Sequence, residues 1–192
     1  MEKYIETTME NLERNNIKPF YVEKREEVVP LIKTLLKKGE SISCGGSVTL
    51  HECEVDTKIL KSGDYDFIDR SGLQGEELRE AYGKAFMCDT FFTSSNAVTE
   101  RGELYNVDGN SNRVACIVYG PRQVLWLSAK TKSCRISMPL SKELKNLLHR
   151  RTPPAFRATL RVRSSANVFR FQTKTHLSAT AVTASQEFAV IM

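Results

Sequence analysis

Two short segments concentrate the residue types that bind anions or move protons. The first is Gly45-Gly46-Ser47-Val48-Thr49. Glycines there let backbone N–H groups approach an anion, and the hydroxyls of Ser47 and Thr49, with the start of a following helix, favour phosphate or carboxylate. The run is neither a Walker loop, since no GK[ST] follows, nor GxGxxG. It reads equally as a tight strand-to-helix turn with Ser47 as helix cap. The second segment holds Thr93-Ser94-Ser95-Asn96, then Glu100 in a TERG run, then Asp108-Gly109-Asn110-Ser111-Asn112-Arg113. Glu100 is the candidate acid, base or nucleophile, and Arg113 the candidate anion partner. The same residues also serve turn chemistry, with Glu100 a solvated carboxylate and Arg113 bridged to Asp108.

Other chemistry is sparser. His51 follows the GGSVTL turn, and Glu52, Glu54 and Asp56 beside it read as a metal cluster or, more simply, as an acidic helix face. No Ser/His/Asp set or HExxH run occurs, and no metal site is expected. The five cysteines (Cys44, Cys53, Cys88, Cys116, Cys134) form no CxxC pair, so they read as reduced and mostly buried thiols, with Cys88 and Cys116 as packing residues.

The elements that must position these residues alternate in type. Ile5, Met9 and Leu12 make an amphipathic helix over 3–15. A strand over 19–22 and a helix over 23–38 follow, with Pro30 expected to kink that helix and Gly39 to cap it. Strands are expected at 41–44, 65–68 and 89–95, a helix at 73–87, a brief strand at Glu103-Leu104-Tyr105, and two core strands at 114–120 and 123–127. Short apolar strands alternating with helices indicate an α/β fold, three layers around a mostly parallel sheet, with ligands outside the carboxyl ends of its strands. Gly45, Gly46, Ser47, Thr49, Ser94, Asn96, Asp108, Gly109, Asn110, Asn112 and Arg113 form the expected ligand set.

Charge and composition divide the 192 residues unevenly. Residues 1–125 hold 16 Lys and Arg against 21 Asp and Glu, whereas residues 126–192 hold 12 against Glu143 and Glu187 alone. All ten glycines precede position 125, and the last 67 residues contain no Gly, Asp or Tyr. An α/β segment of that length should use about five glycines in turns and caps. Neither an apolar span nor a secretory or transit leader is visible, so a cytoplasmic, non-membrane protein is expected. The basic tail lacks any nucleic-acid module, and no nucleic-acid partner is expected.

The motifs GGSVTL (45–50), FIDR (67–70) and TSSNAVTERGELYNVDGNSNRVACIVYGP (93–121) resemble the LUD-domain, or lactate-utilisation, family of bacterial proteins. The resemblance covers residues 1–125. It implies a fold like that of the sugar-phosphate isomerases and coenzyme A transferases, a role in oxidising lactate to pyruvate, and iron–sulfur partner proteins. It also implies that Glu100 lies where the acyl-accepting glutamate of coenzyme A transferases would lie, which sets an acyl-transferase or sugar-phosphate isomerase reading beside the binding one. A small anionic ligand and a homo-oligomer fit either reading. The cofactor is unknown: intact relatives have a cysteine-rich tail suited to a metal or iron–sulfur cluster, and here the tail holds only Cys134.

The resemblance stops after Leu125. Read one frame away from the third base of the Leu125 codon, the tail can encode VVVGKNKI in place of WLSAKTKS, and the same constant frame permits PDLDAAVKRVK, AAPPNATRLSRDTPC and CDCRNCQSGVC. None of these strings is in the chain, yet they resemble the family's C-terminal third. Residues 126–192 are therefore expected to be an out-of-frame translation, by mutation, pseudogene or sequencing error, with that part of the fold lost or disordered, few tertiary contacts, and an inactive product as one outcome.

Overall fold

The computed structural model describes residues 2–106, 108, 110–129, 133–134 and 187–191. Helix α1 (Lys3–Arg14) buries Ile5, Thr8 and Leu12 along one face, as its spacing requires. Strand β1 (Lys18–Phe20) leads into a 3-10 turn at Arg25–Glu27 and helix α2 (Val28–Leu35). The helix is thus shorter than 23–38, and Pro30 does not kink it. Pro30 is its third residue, and N–H groups in a first turn have no acceptor within the helix, so the missing donor costs nothing there. Nor does Gly39 cap it. Leu36 is already extended, and Gly39, at φ 75°, turns the chain into β2 (Ser41–Cys44).

Helix α3 (Val48–Glu52), a single π-type turn at Asp56–Leu60, and β3 (Asp66–Phe67) follow. Then come α4 (Gly75–Phe86), β4 (Thr90–Thr93), the short strands β5 (Ala97–Thr99) and β6 (Leu104–Tyr105), α5 (Asn112–Val118) and β7 (Gln123–Leu127). The strand expected at 114–120 is helix α5. Its β-branched residues favour a strand in isolation. Asp108 instead caps a helix from outside: its Oδ2 accepts the N–H groups of Arg113 (2.9 Å) and Val114 (3.1 Å), and Val114, Cys116 and Ile117 turn inward. Strands β8 (Ser133–Cys134) and β9 (Glu187–Ile191) complete the described elements.

The main sheet has the order β1-β9-β7-β4-β2-β3, with every neighbouring pair parallel. A smaller sheet, β6-β5-β8, stands beside it. Because side chains alternate across a strand, Phe92, Leu125 and Leu127 meet Val28, Ile32 and Leu50 on one face. Phe91, Val124 and Trp126 meet Leu12, Cys116 and Ile117 on the other. This is the expected three-layer α/β arrangement. The boundary drawn after Leu125 falls inside β7, and Trp126, Leu127 and Ser128 are buried. Strand β9 lies between β1 and β7, pairing Lys18 with Ala189 and Gln123 with Glu187. Most of residues 126–192, on which the expectation of few contacts falls, lie outside the described residues, while β9 is integral to the sheet. Its Phe188-Ala189-Val190-Ile191 run suits a strand, and it satisfies backbone groups of two strands at once.

The β5–β6 hairpin is fastened to α1 through Gly102. Asn11 Nδ2 donates to the Glu100 carbonyl (2.7 Å), and Asn15 Nδ2 to those of Arg101 and Gly102 (both 3.1 Å). Gly102 has φ 74°, and a Cβ there would stand 2.7 Å from Asn11 C and Leu12 N. The obstructing atoms are the Asn11–Leu12 peptide of α1, backbone that cannot swing aside as a side chain could. Gly102→Ala should lower unfolding free energy by at least about 2 kcal/mol in urea denaturation, combining left-handed strain with overpacking.

Candidate functional site

The sheet changes winding direction between β2 and β4: β2 connects outward to β3 on one side, while β4 continues to β7 on the other. In open α/β sheets a crevice forms outside the carboxyl ends of the strands at such a point. There the chain places the Gly45-Gly46-Ser47 turn after β2 and Ser94-Ser95-Asn96 after β4. Ser47 Oγ and Ser94 Oγ lie 2.9 Å apart, and Ser47 Oγ also accepts the Leu50 N–H at 3.4 Å. Gly46 is exposed, and a Cβ on it would meet nothing within 4 Å. Helix α3 has only five residues, so the capacity for anions rests on local N–H and hydroxyl groups rather than on a helix macrodipole.

Arg113 stands behind this turn. Its Nη1 donates to the Ser94 carbonyl (2.8 Å) and Asn106 Oδ1 (2.9 Å), its Nη2 to Asn96 Oδ1 (3.3 Å), and its Nε lies 3.9 Å from Asp108 Oδ2. Only 13% of its side chain is exposed. Burial pushes the guanidinium below its ordinary pKa and the Asp108 charge pulls it back. A Cβ on Gly45 would stand 2.9 Å from Arg113 Cδ, so glycine there makes room for the arginine. The arrangement uses Arg113 as a clamp joining the 94–96 and 106–108 loops, with the Asp108 pairing that the sequence offered beside an anion-binding role.

The structure thus brings Gly45, Gly46, Ser47, Ser94, Asn96, Asp108 and Arg113 together. Asn110 is exposed, its N–H donating to Asp108 Oδ1 at 3.3 Å. Gly109 lies outside the described residues. Glu100 is partly exposed in the turn after β5. Thr49 is buried on α3 and lines a cavity of about 270 Å3 with Lys24, Arg25, Cys53 and Ser128. Asn112 lines another of about 240 Å3 with Arg70 and Tyr82. Sequence reasoning named Arg70 only as part of FIDR; its place just past β3 was the signal that could have found it. Ser95 was likewise passed over as a ligand residue. It is buried, and its Oγ has no hydrogen-bond partner among the described residues.

His51 faces away, 79% exposed, with Nδ1 2.7 Å from Asp56 Oδ2. Hydrogen bonding to Asp56 raises the imidazole pKa, and the same bond lowers that of Asp56. No group of three or more His, Cys, Asp or Glu is placed to hold a metal among the described residues. Their thiols also suit a cluster poorly, because burial raises Cys44 and pushes Cys88 to about 12 and Cys116 to about 11. No helix among the described residues is long and apolar enough to cross a membrane.

Arg113→Lys tests the clamp. An ammonium cannot span the four acceptors, so buried Asn106 Oδ1 and the Ser94 carbonyl lose a donor. Urea denaturation should show a loss of about 2–4 kcal/mol.

The signature of the LUD domain matches residues 5–143, past the Leu125 boundary. A DUF162 family protein from Deinococcus radiodurans has a similar fold, with TM-score 0.58 and 13% identity over 98% of this chain and 95% of that one. Ribose 5-phosphate isomerases overlap less. The Plasmodium falciparum enzyme gives TM-score 0.37 at 13% identity over 61% of this chain and 55% of its own, and isomerase A from Neisseria gonorrhoeae gives 0.37 at 14% over 67% and 56%. No curated protein matches the sequence. With 5–143 matched, the chain belongs to the LUD domain family.

Proposed function

We propose that this chain is a cytoplasmic protein of lactate utilisation, in the oxidation of lactate to pyruvate, and that it binds a small anionic or phosphorylated ligand in the crevice between β2 and β4. The observation that carries the binding reading is the convergence of the Ser47 and Ser94 hydroxyls, 2.9 Å apart, beside an open Gly46. The unpartnered Ser95 hydroxyl at the same strand end supports it, since a buried donor without a partner costs about 1–3 kcal/mol. Gly45, Asn96, Asp108 and Arg113 shape the loops around the ligand. Glu100 would act chemically only if the site transfers acyl groups. In calorimetric titrations with inorganic phosphate and with lactate, one of the two should bind saturably. Ser94→Ala should weaken it about 5–10-fold, the worth of one hydrogen bond. Glu100→Gln should leave that binding intact. Coenzyme A transfer abolished by Glu100→Gln would favour the transferase reading instead.

The tail bears on whether any of this operates. We propose that residues 126–192 are read one frame away from the family's C-terminal third. Their lack of glycine supports this, as does Ser128. That residue is 5% exposed, and its Oγ has no hydrogen-bond partner among the described residues, at a position where the shifted frame permits valine. The gene should spell the family tail one frame away, and the intact mass should match either the chain as given or the corrected frame. Stop codons throughout the alternative frame would refute the proposal and leave the basic tail as a genuine extension.

A further inference from the structure

On the α4 and α5 side of the sheet, the cavity of about 240 Å3 is walled by Tyr82, Phe86 and Phe91, with Arg70, Asn112 and Cys116 as its polar groups. It shares no lining residue with the Gly45–Ser47 turn. The Arg70 guanidinium lies 5.1 Å from the centroid of the Tyr82 ring, and its Nη2 donates to the Cys44 carbonyl. Among the described residues, no carboxylate pairs with it. A guanidinium carries five N–H donors in a planar fork, so donors remain for a further acceptor, and two parallel ones match a carboxylate. The cation–π contact with Tyr82 attracts the guanidinium to that wall of the cavity.

The remaining lining agrees in character. Burial pushes the Cys116 thiol up to about 11, with Arg70 offsetting part of the shift, so no thiolate opposes an incoming anion at neutral pH. Gly83 also lines the cavity and lies inside α4. Glycine weakens a helix interior relative to alanine, and no neighbour demands it, since a Cβ there would meet nothing within 4 Å. Gly83 is exposed, so the α4 wall of the cavity reaches the surface there.

We propose that this cavity is a binding site for a small aromatic monocarboxylate, its carboxylate on Arg70 and its ring against Phe86 and Phe91. The site goes beyond the β2/β4 crevice and does not depend on it. The probe is benzoate, titrated into the full chain by calorimetry, with benzyl alcohol as the uncharged match. Benzoate should bind saturably, and at least tenfold more tightly than benzyl alcohol. Arg70→Gln should weaken benzoate at least tenfold. Arg70→Lys keeps the charge without the planar fork and should retain part of the affinity lost in Arg70→Gln, an outcome that a merely unfolded variant cannot give. Absence of saturation in the unaltered chain, or equal affinity after Arg70→Gln, would overturn the proposal. Loss of benzoate binding in Ser94→Ala would overturn it too, by assigning the binding to the crevice.

Discussion

A single buried guanidinium organises the loops at the carboxyl edge of the sheet. Arg113 reaches from α5 to the Ser94 carbonyl, Asn96 and Asn106. A charge this enclosed is stable only if its donors are met by well-aligned acceptors. Each acceptor must therefore sit where its loop places it, and Gly45 must lack a side chain for the arginine stem to pass. Asp108 serves the same construction twice, holding the N-terminus of α5 through two backbone N–H groups and standing near the guanidinium. Loops of such polar composition would otherwise be free to vary. The clamp turns them into one wall of the β2/β4 crevice.

The sheet imposes a second constraint. Strand β9 supplies the ladder between β1 and β7 from the far end of the chain, so β1 depends on residues 187–191 for its pairing with the central strands. Local stability follows such contacts. At the same edge, Ser128 extends β7 with a buried hydroxyl that finds no partner among the described residues, whereas Val124, Leu125 and Leu127 before it are wholly apolar and buried. The change from satisfied to unsatisfied packing occurs within a few residues of the place where glycine disappears from the sequence.

Much of the architecture was legible because periodicity reports burial. Ile5 and Leu12 on α1, the unbroken apolar runs of β4 and β7, and the glycine turn after β2 all announce which face meets the core. The error at α5 has a definite cause. Val114, Ile117 and Val118 carry β propensity, and nothing local shows that a carboxylate six residues before Val114 will cap a helix there. Pro30 misled in the opposite direction, because its effect depends on where the first turn begins, and a 3-10 turn moves that start to Val28.

Composition and spacing alone determined the α/β class, the position of the GGS turn at a strand end, the family resemblance and the break in chemical grammar after Leu125. Those properties are local or statistical, and a linear chain displays them directly. Only the tertiary structure decided that Arg113 is bound up in its own loops, that Arg70 faces a cavity, and that Thr49 and Asn112 belong to different cavities. Each of these depends on which acceptors arrive from distant segments to satisfy a buried donor. Hydrogen-bond satisfaction across many tens of residues leaves no period in the sequence from which it could be read.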